Sequence, residues 1–442
     1  MEESMKSKDD NIFDDLELNL DKPITEDYES QEEMMVVPEE EVTKAVESVA
    51  ITITDEIKEK YQKKPRKKKD MPTSKELDQM SNEEIEDTIS DGPDDVKKLY
   101  NEFTAFLADT TGIKEDTGTK VTIPTGIDYL DVILGGGFSV GNYNLIIGDP
   151  GSGKSMLVAQ TIGNAQRLYP GIMTPYLDSE QSMTTIRLAG LGANNPKIKP
   201  FTDMSVENIF QILEAMCLFK SLHGVEMPSL MVWDSLANTL TDKEKEAADP
   251  NTLVGYRGRV MSLLIPQAAS KLSKHNICMI VINQFRDEIN MNQYQKKPKD
   301  LYFMRTGKNI PGGNAIKFNA FHLLDLKMSG KIDEEKEGFR GFMCEMKCIK
   351  NKLFSPYVPA IVVGDFVNGF SNFWTNYKFL ISVGRLKPGA WNYLVEYPTV
   401  KFRTSDAPEK YKSDPEFKKM FDAALKEAFQ KELIEKNTPD II

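Results

Sequence analysis

The sequence predicts an α/β fold: a mostly parallel central sheet with helices on both faces and antiparallel strands at one edge. Three observations predict it. Apolar segments of strand length recur at Asn144–Ile147, Ile172–Asp178, Leu230–Asp234, Ile277–Asn283, Phe321–Lys327, Phe342–Ile349 and Val358–Val363. Between the earlier ones lie stretches of helical period, such as Val206, Ile209, Phe210, Leu213, Met216 and Cys217, and strands alternating with amphipathic helices run parallel and are covered on both sides. The later strands follow one another through shorter links, which sets them antiparallel at an edge.

One strand explains what such a sheet is for. Leu145, Ile146 and Ile147 run into Gly148-Asp149-Pro150-Gly151-Ser152-Gly153-Lys154-Ser155, and Val158, Ile162, Ala165 and Tyr169 then follow at helical spacing. A glycine-rich turn between strand and helix lets successive backbone N–H groups converge on phosphate oxygens at the positive end of the helix. Lys154 supplies a charge for the β- and γ-phosphates and Ser155 a hydroxyl for Mg²⁺.

Other strand tips carry polar residues toward the same edge. Leu230-Met231-Val232-Trp233 closes on Asp234, which suits the hydration shell of Mg²⁺. Tyr176-Leu177-Asp178-Ser179 leads to Glu180, a carboxylate placed to polarise an attacking water, although a surface loop acid reads the same way. Met279-Ile280-Val281-Ile282 runs into Asn283 and Gln284, where an amide suits a sensor of the γ-phosphate. Residues 285–311 then interleave Arg286, Lys296, Lys297, Lys299, Arg305 and Lys308 with Phe285, Tyr294, Tyr302 and Phe303. Cations for phosphates beside rings for stacking suit single-stranded nucleic acid.

Composition sets limits on the rest. The net charge of −13 is concentrated: residues 1–60 hold 20 acidic against 6 basic side chains, and the remainder holds 48 against 49. A basic surface for nucleic acid is therefore compatible with the acidic total. No 18-residue apolar stretch exists and the first residues lack the basic and apolar segments of a leader, so a cytoplasmic protein without membrane contact is expected. Cys217, Cys278, Cys344 and Cys348 sit in apolar or alternating segments, as reduced core thiols do.

Residues 1–92 are polar and poor in aromatics, an extension expected to be mostly disordered, with a basic run at 63–69 that fits DNA, an import address for a nucleus or nucleus-like compartment, or a solvated linker. Residues 93–114 carry an apolar helical stripe (Val96, Leu99, Tyr100, Phe103, Phe106, Leu107) that needs a partner in its own core or in a neighbouring subunit. An ATPase core over 115–366 and a small C-terminal α/β domain over 367–442, rich in aromatics, complete the expected division.

Together these motifs resemble the RecA family of DNA recombinases, and within it the bacteriophage UvsX-like members, from about Val121 to Leu394. Thr125-Gly126-Ile127-Asp128-Tyr129-Leu130-Asp131 is similar to the family's first strand and helix, and Gly312-Gly313-Asn314-Ala315-Ile316-Lys317-Phe318 to the segment that closes its second DNA-binding loop. Lys350-Asn351-Lys352 resembles the lysine pair that reaches a neighbour's ATP. The resemblance implies a RecA-like P-loop NTPase core, a filament on single-stranded DNA that pairs with homologous duplex, and ATP with Mg²⁺ as cofactors. It implies nucleotide contacts from Gly148 to Met156 and from Arg187, metal support from Ser155 and Asp234, and catalysis by Lys154, Glu180, Gln284, Lys350 and Lys352. DNA contacts would come from Arg257 and Arg259 in a first loop (243–259), from the 285–311 segment, and from Gly312, Gly313 and Asn314. Arg187 stands where relatives often carry an aromatic, and Pro266 is expected to kink or restart the helix after Arg259. The acidic extension has no counterpart in the family core and is a candidate contact for a single-strand-binding or loader protein. A ring-forming helicase or KaiC-like ATPase, or a mediator that does not hydrolyse ATP, are the alternatives on the same core.

Overall fold

The three central strands are buried throughout, and their side chains alternate between two apolar clusters, one on each face of the sheet. The computed structural model describes residues 120–181, 183–193, 200–247, 255–287, 308–332 and 340–437, with Ala105 and Asp109 as isolated helical positions. The 1–92 extension, its basic run and the rest of the 93–114 helix lie outside the described residues.

A short ribbon pairs β1 (Thr122–Ile123) with β2 (Phe138–Ser139) around α1 (Asp128–Ile133). Then come β3 (Tyr143–Gly148), α2 (Lys154–Leu168), β4 (Tyr176–Asp178), α3 (Thr185–Gly190), β5 (Pro200–Phe201), α4 (Val206–His223) and β6 (Ser229–Asp234). A single 3-10 turn at Leu236–Asn238 leads to α5 (Asp242–Glu246), α6 (Tyr256–Lys274) and β7 (Ile277–Ile282). Strands β8 (Arg286–Asp287) and β9 (Lys308–Asn309) pair as the stem of a hairpin, and α7 (Gly313–Asn319) follows. The antiparallel run is β10 (His322–Ile332), β11 (Gly341–Lys350), β12 (Pro359–Asp365) and β13 (Gly369–Phe370). Beyond it lie α8 (Asn372–Ser382), β14 (Leu386–Lys387), β15 (Asn392–Leu394), β16 (Tyr397–Phe402), α9 (Ala407–Ser413) and α10 (Pro415–Phe429).

The nine-stranded sheet has the order β13-β12-β11-β10-β3-β7-β6-β4-β5. From β10 to β5 every neighbour is parallel, and from β10 to β13 every neighbour is antiparallel, as the link lengths require. On one face Ile146, Leu230, Val232, Cys278, Ile280 and Ile282 pack with α2 and the C-terminal helices; on the other Leu145, Ile147, Met231, Trp233, Met279 and Val281 pack with α4 and α6. Successive side chains on a strand point to opposite faces, so a strand buried on both sides is apolar throughout.

Local signals set the helix ends. Ser205 and Asn208 close a capping box at the start of α4, and Gly224 ends it in the left-handed region at φ 60°. The strand expected from Ile172 begins only at Tyr176. The carbonyls of Met173 and Pro175 accept from Leu230 and Val232, but Pro175 has no N–H to give back, so the two-sided ladder starts one residue later. Helix α6 runs through Pro266 without restarting there. Pro266 is exposed, so the carbonyl it leaves unpaired reaches water, while buried Met261, Ile265, Ala268 and Leu272 hold both halves to the core.

Composition changes near residue 366, yet packing does not. Phe370, Tyr377, Phe379, Phe417, Phe421 and Phe429 belong to the same apolar cluster as Leu130, Phe138 and Ile162. Phe379 and Phe429 pack as tilted rings against Tyr129 of α1, at 4.5 and 5.9 Å between ring centroids. Among the described residues no helix is long and apolar enough to cross a membrane.

Candidate functional site: a phosphate-binding loop facing four strand tips

Because β3, β7, β6 and β4 are parallel, Gly148, Ile282, Asp234 and Asp178 end on the same edge of the sheet. There they rim a cavity of about 410 Å³ lined by the loop (Pro150, Gly151, Gly153, Lys154, Ser155), Met156, Glu180, Arg187, Asp234, Gln284 and Phe366. An open parallel sheet binds its ligands at this carboxyl edge.

The loop is shaped for an anion. Gly153 has φ 93°, and a Cβ there would sit 2.7 Å from the ring of Phe370, so no other residue fits without displacing that side chain. Gln160 of α2 locks Phe370 in place, accepting from its N–H at 2.7 Å and donating to its carbonyl at 2.8 Å. Lys154 is buried, and its ammonium donates to the carbonyls of Gly148 at 3.0 Å and Asp149 at 2.9 Å. Burial lowers its pKa, and the carboxylates of Asp234 and Glu180 act the other way. Ser152 Oγ is buried and has no hydrogen-bond partner among the described residues. A phosphate oxygen accepting from it would satisfy that hydroxyl, which is one sign that the loop fits a nucleotide.

The structure brings together the two residues expected to support a metal. Ser155 Oγ donates to Asp234 Oδ2 at 2.7 Å, and burial pushes the Asp234 carboxyl up to about 6 against donors that pull it down. A hydroxyl and a carboxylate at this spacing are the oxygen donors Mg²⁺ uses, so the residues present fit that ion. The peptide between Asp234 and Ser235 is cis.

Glu180 is the point of convergence. Its Oε1 accepts from Ser235 Oγ at 2.5 Å, Asn238 Nδ2 at 2.8 Å and Gln284 Nε2 at 2.7 Å. The loop that carries it is fixed by Asp178, whose carboxylate accepts from the N–H groups of Glu180 at 3.2 Å and Met183 at 2.9 Å. Beside Gln284, the buried Asn283 donates to the carbonyl of Pro311 at 2.8 Å. The tip of β7 is thereby tied to the far end of the segment that leaves it.

The expected DNA-contacting residues divide. Arg257 is committed internally: it grips Glu244 through Nε at 3.0 Å and Nη2 at 3.2 Å and donates to the Ala237 carbonyl at 3.2 Å. It therefore fastens α5 to α6, where an exposed backbone contact was expected, while Arg259 is exposed. Much of the expected first loop is the two helix ends, with 248–254 outside the described residues. Lys296, Lys297, Lys299, Tyr302, Phe303 and Arg305 also lie outside them; Arg286 and Lys308 are placed by backbone only, in the stem. Gly312 starts α7 at φ 98° with Leu236 filling the space a Cβ would need, and Gly313 and Asn314 form the exposed first turn.

Lys350 and Lys352 lie elsewhere. Lys350 is opposite Leu323 at the start of β10, and its ammonium donates to the carbonyls of Phe318 at 2.5 Å and Lys317 at 3.3 Å, at the end of α7. Burial and the charge of Lys352 lower its pKa. Lys352 lies over the Phe321 ring at 5.6 Å. Neither lines this cavity.

Sequence reasoning missed Tyr176, Ser235 and Asn238. Tyr176 donates to Asp234 Oδ2 at 2.6 Å. A side chain that contributes by reaching across to the next strand leaves no local pattern in the sequence.

The fold and this site define a P-loop nucleotide-binding protein with a RecA-like core. The RecA N-terminal domain matches residues 107–371, more than half of the chain, and the chain belongs to the RecA family. Among its relatives is Protein RecA of Solidesulfovibrio magneticus, 28% identical over 240 residues, which is 54% of this chain and 62% of that protein. Protein RecA of Sinorhizobium medicae is 28% identical over 247 residues (56% and 63%), and that of Xanthomonas campestris pv. campestris 29% over 240 residues (54% and 65%). The chain thus spans less than two thirds of the length of these curated relatives.

Proposed function

We propose that this chain is an ATP- and Mg²⁺-dependent recombinase that assembles as a filament on single-stranded DNA and pairs it with homologous duplex. The observation that carries the reading is the hydrogen bond from Gln284 to Glu180. It joins the residue suited to activate water to the strand tip that opens the cationic, aromatic 288–307 segment, so one side chain stands between nucleotide and nucleic acid.

On this reading Lys154 and the loop N–H groups hold the phosphates, and Ser155 and Asp234 hold the metal. Bound Mg²⁺ would offset charge on the β- and γ-phosphate oxygens. Glu180 takes the proton of the attacking water, its Oε1 fixed by three donors and Oε2 free of hydrogen bonds among the described residues. Gln284 exchanges Glu180 for the γ-phosphate, and its strand carries the change to the following loop.

The lysine pair fits a role in a neighbouring subunit's site. Leu323, opposite Lys350, is level with Leu145, three residues before the phosphate loop begins, so the lysine sits roughly 10 Å back along the sheet. Its ammonium also points away, to α7. Arg259, the 285–311 segment and Gly312 to Asn314 remain the proposed DNA surface. The finer placement among bacteriophage UvsX-like recombinases, and in a host cytoplasm, rests on the sequence resemblance.

Electron microscopy of the protein with single-stranded DNA and a slowly hydrolysed ATP analogue should show helical filaments, and single-stranded DNA should stimulate phosphate release. A protein that stays monomeric with ATP, Mg²⁺ and an oligonucleotide, or that forms closed rings, overturns the proposal.

A further inference from the structure

We infer that Tyr176 is a positioning residue for Mg²⁺: its hydroxyl holds Asp234 Oδ2 so that Oδ1 is the oxygen presented to the ion's hydration shell. The inference rests on the Mg²⁺-nucleotide reading above and adds a residue to it.

Tyr176 is fully buried in β4. It lies opposite Val232, and Asp178 lies opposite Asp234, so the phenol starts two residues below the carboxylate on the neighbouring strand and reaches forward along it. Its ring sits in an apolar layer with Leu230, Val232 and Ile280, where packing alone calls for a phenylalanine. The hydroxyl is present where that layer meets Asp234, itself 1% exposed. Tyr176 and Ser155 donate to the same oxygen, at 2.6 and 2.7 Å from opposite elements, β4 and α2. Two donors on one oxygen fix the rotation of the carboxylate. They also fix Ser155, whose proton is spent on Asp234. No hydrogen bond among the described residues engages Oδ1. Partners that orient a metal-supporting group in this way change metal affinity by about 10- to 100-fold when removed.

The test is Tyr176→Phe in the full chain, read by binding of a fluorescent non-hydrolysable ATP analogue as Mg²⁺ is titrated, and again in EDTA. The Mg²⁺ concentration at half-effect should rise by about tenfold or more, with affinity in EDTA unchanged and the unfolding midpoint without nucleotide lowered only by the loss of one buried hydrogen bond. An unchanged Mg²⁺ requirement overturns the inference. Repeating the substitution in an Asp234→Asn background separates positioning from packing: the Tyr176 effect should vanish there, and an effect of equal size overturns the inference. Should the wild-type chain bind the analogue with no Mg²⁺ dependence, the nucleotide reading itself falls, a different outcome from a silent Tyr176→Phe.

Discussion

At the scale of residues, the hydrogen bonds of the cavity converge on two carboxylate oxygens. Asp234 Oδ2 takes two donors and Glu180 Oε1 takes three, so both groups enter the site with their orientation already set. Replacing Glu180 with Gln keeps an acceptor oxygen for Ser235, Asn238 and Gln284 but cannot take a proton from water. DNA-stimulated ATP turnover should then fall by about 10²- to 10⁴-fold with nucleotide affinity retained, measured by phosphate release beside equilibrium binding. Lys154, Ser155, Asp234 and Glu180, which the structure brings to one cavity, stood out in the sequence because each follows an apolar strand: Asp234 directly, Glu180 two residues on, and the pair in the glycine-rich turn. Ser235 and Asn238 were not: they bind a residue some 55 positions earlier, a pairing that only the β4/β6 register creates. Arg257 shows the reverse case, a cation in a plausible place whose donors are taken by Glu244 and the carbonyl of Ala237.

At the scale of elements, α7 is the piece with two jobs. It begins at Gly312 and Gly313, where the 288–307 segment returns, and ends at carbonyls that Lys350 caps. A cation at a helix C-terminus is worth about 0.3–1 kcal/mol, so losing it costs little stability. Lys350→Ala should therefore fold with nearly the wild-type unfolding midpoint and still bind nucleotide. Its DNA-stimulated turnover should drop by about 10³-fold or more, the size of effect a cation donated in trans has on phosphoryl transfer. Full DNA-stimulated activity in Lys350→Ala would remove the lysine from the mechanism. The elements themselves were mostly readable from period and length. What was not readable is tertiary: four buried side chains carry α6 across Pro266, and a missing N–H at Pro175 shortens β4.

At the scale of the molecule, the composition change near residue 366 suggested a boundary, but aromatic residues on both sides of it share one core. A change in residue usage need not be a change in packing. The same core holds His322, buried with Nδ1 at 2.9 Å from Asn144 Oδ1, and burial pushes its pKa down to about 4 from 6.5. Because the folded form resists the proton that the unfolded chain accepts, His322 contributes its full stability above pH 6.5 and loses it as pH falls toward 4, by about 3 kcal/mol in all. The raised pKa of Asp234 tilts the total the other way, so the comparison needs a non-titrating reference. The unfolding free energy of wild type relative to His322→Gln should fall by that amount between pH 7 and pH 4; a constant difference would show that His322 is not the titrating group.

One consequence follows from the phosphate loop and the Lys350 pair lying apart on the sheet. If each subunit lends its lysines to the next, a row of subunits has a head and a tail: the protomer at one terminus keeps a nucleotide that no neighbour completes, and the protomer at the other offers lysines to nothing. The first of these should retain its triphosphate longest, so an assembly built this way carries its own slow cap and sheds subunits asymmetrically.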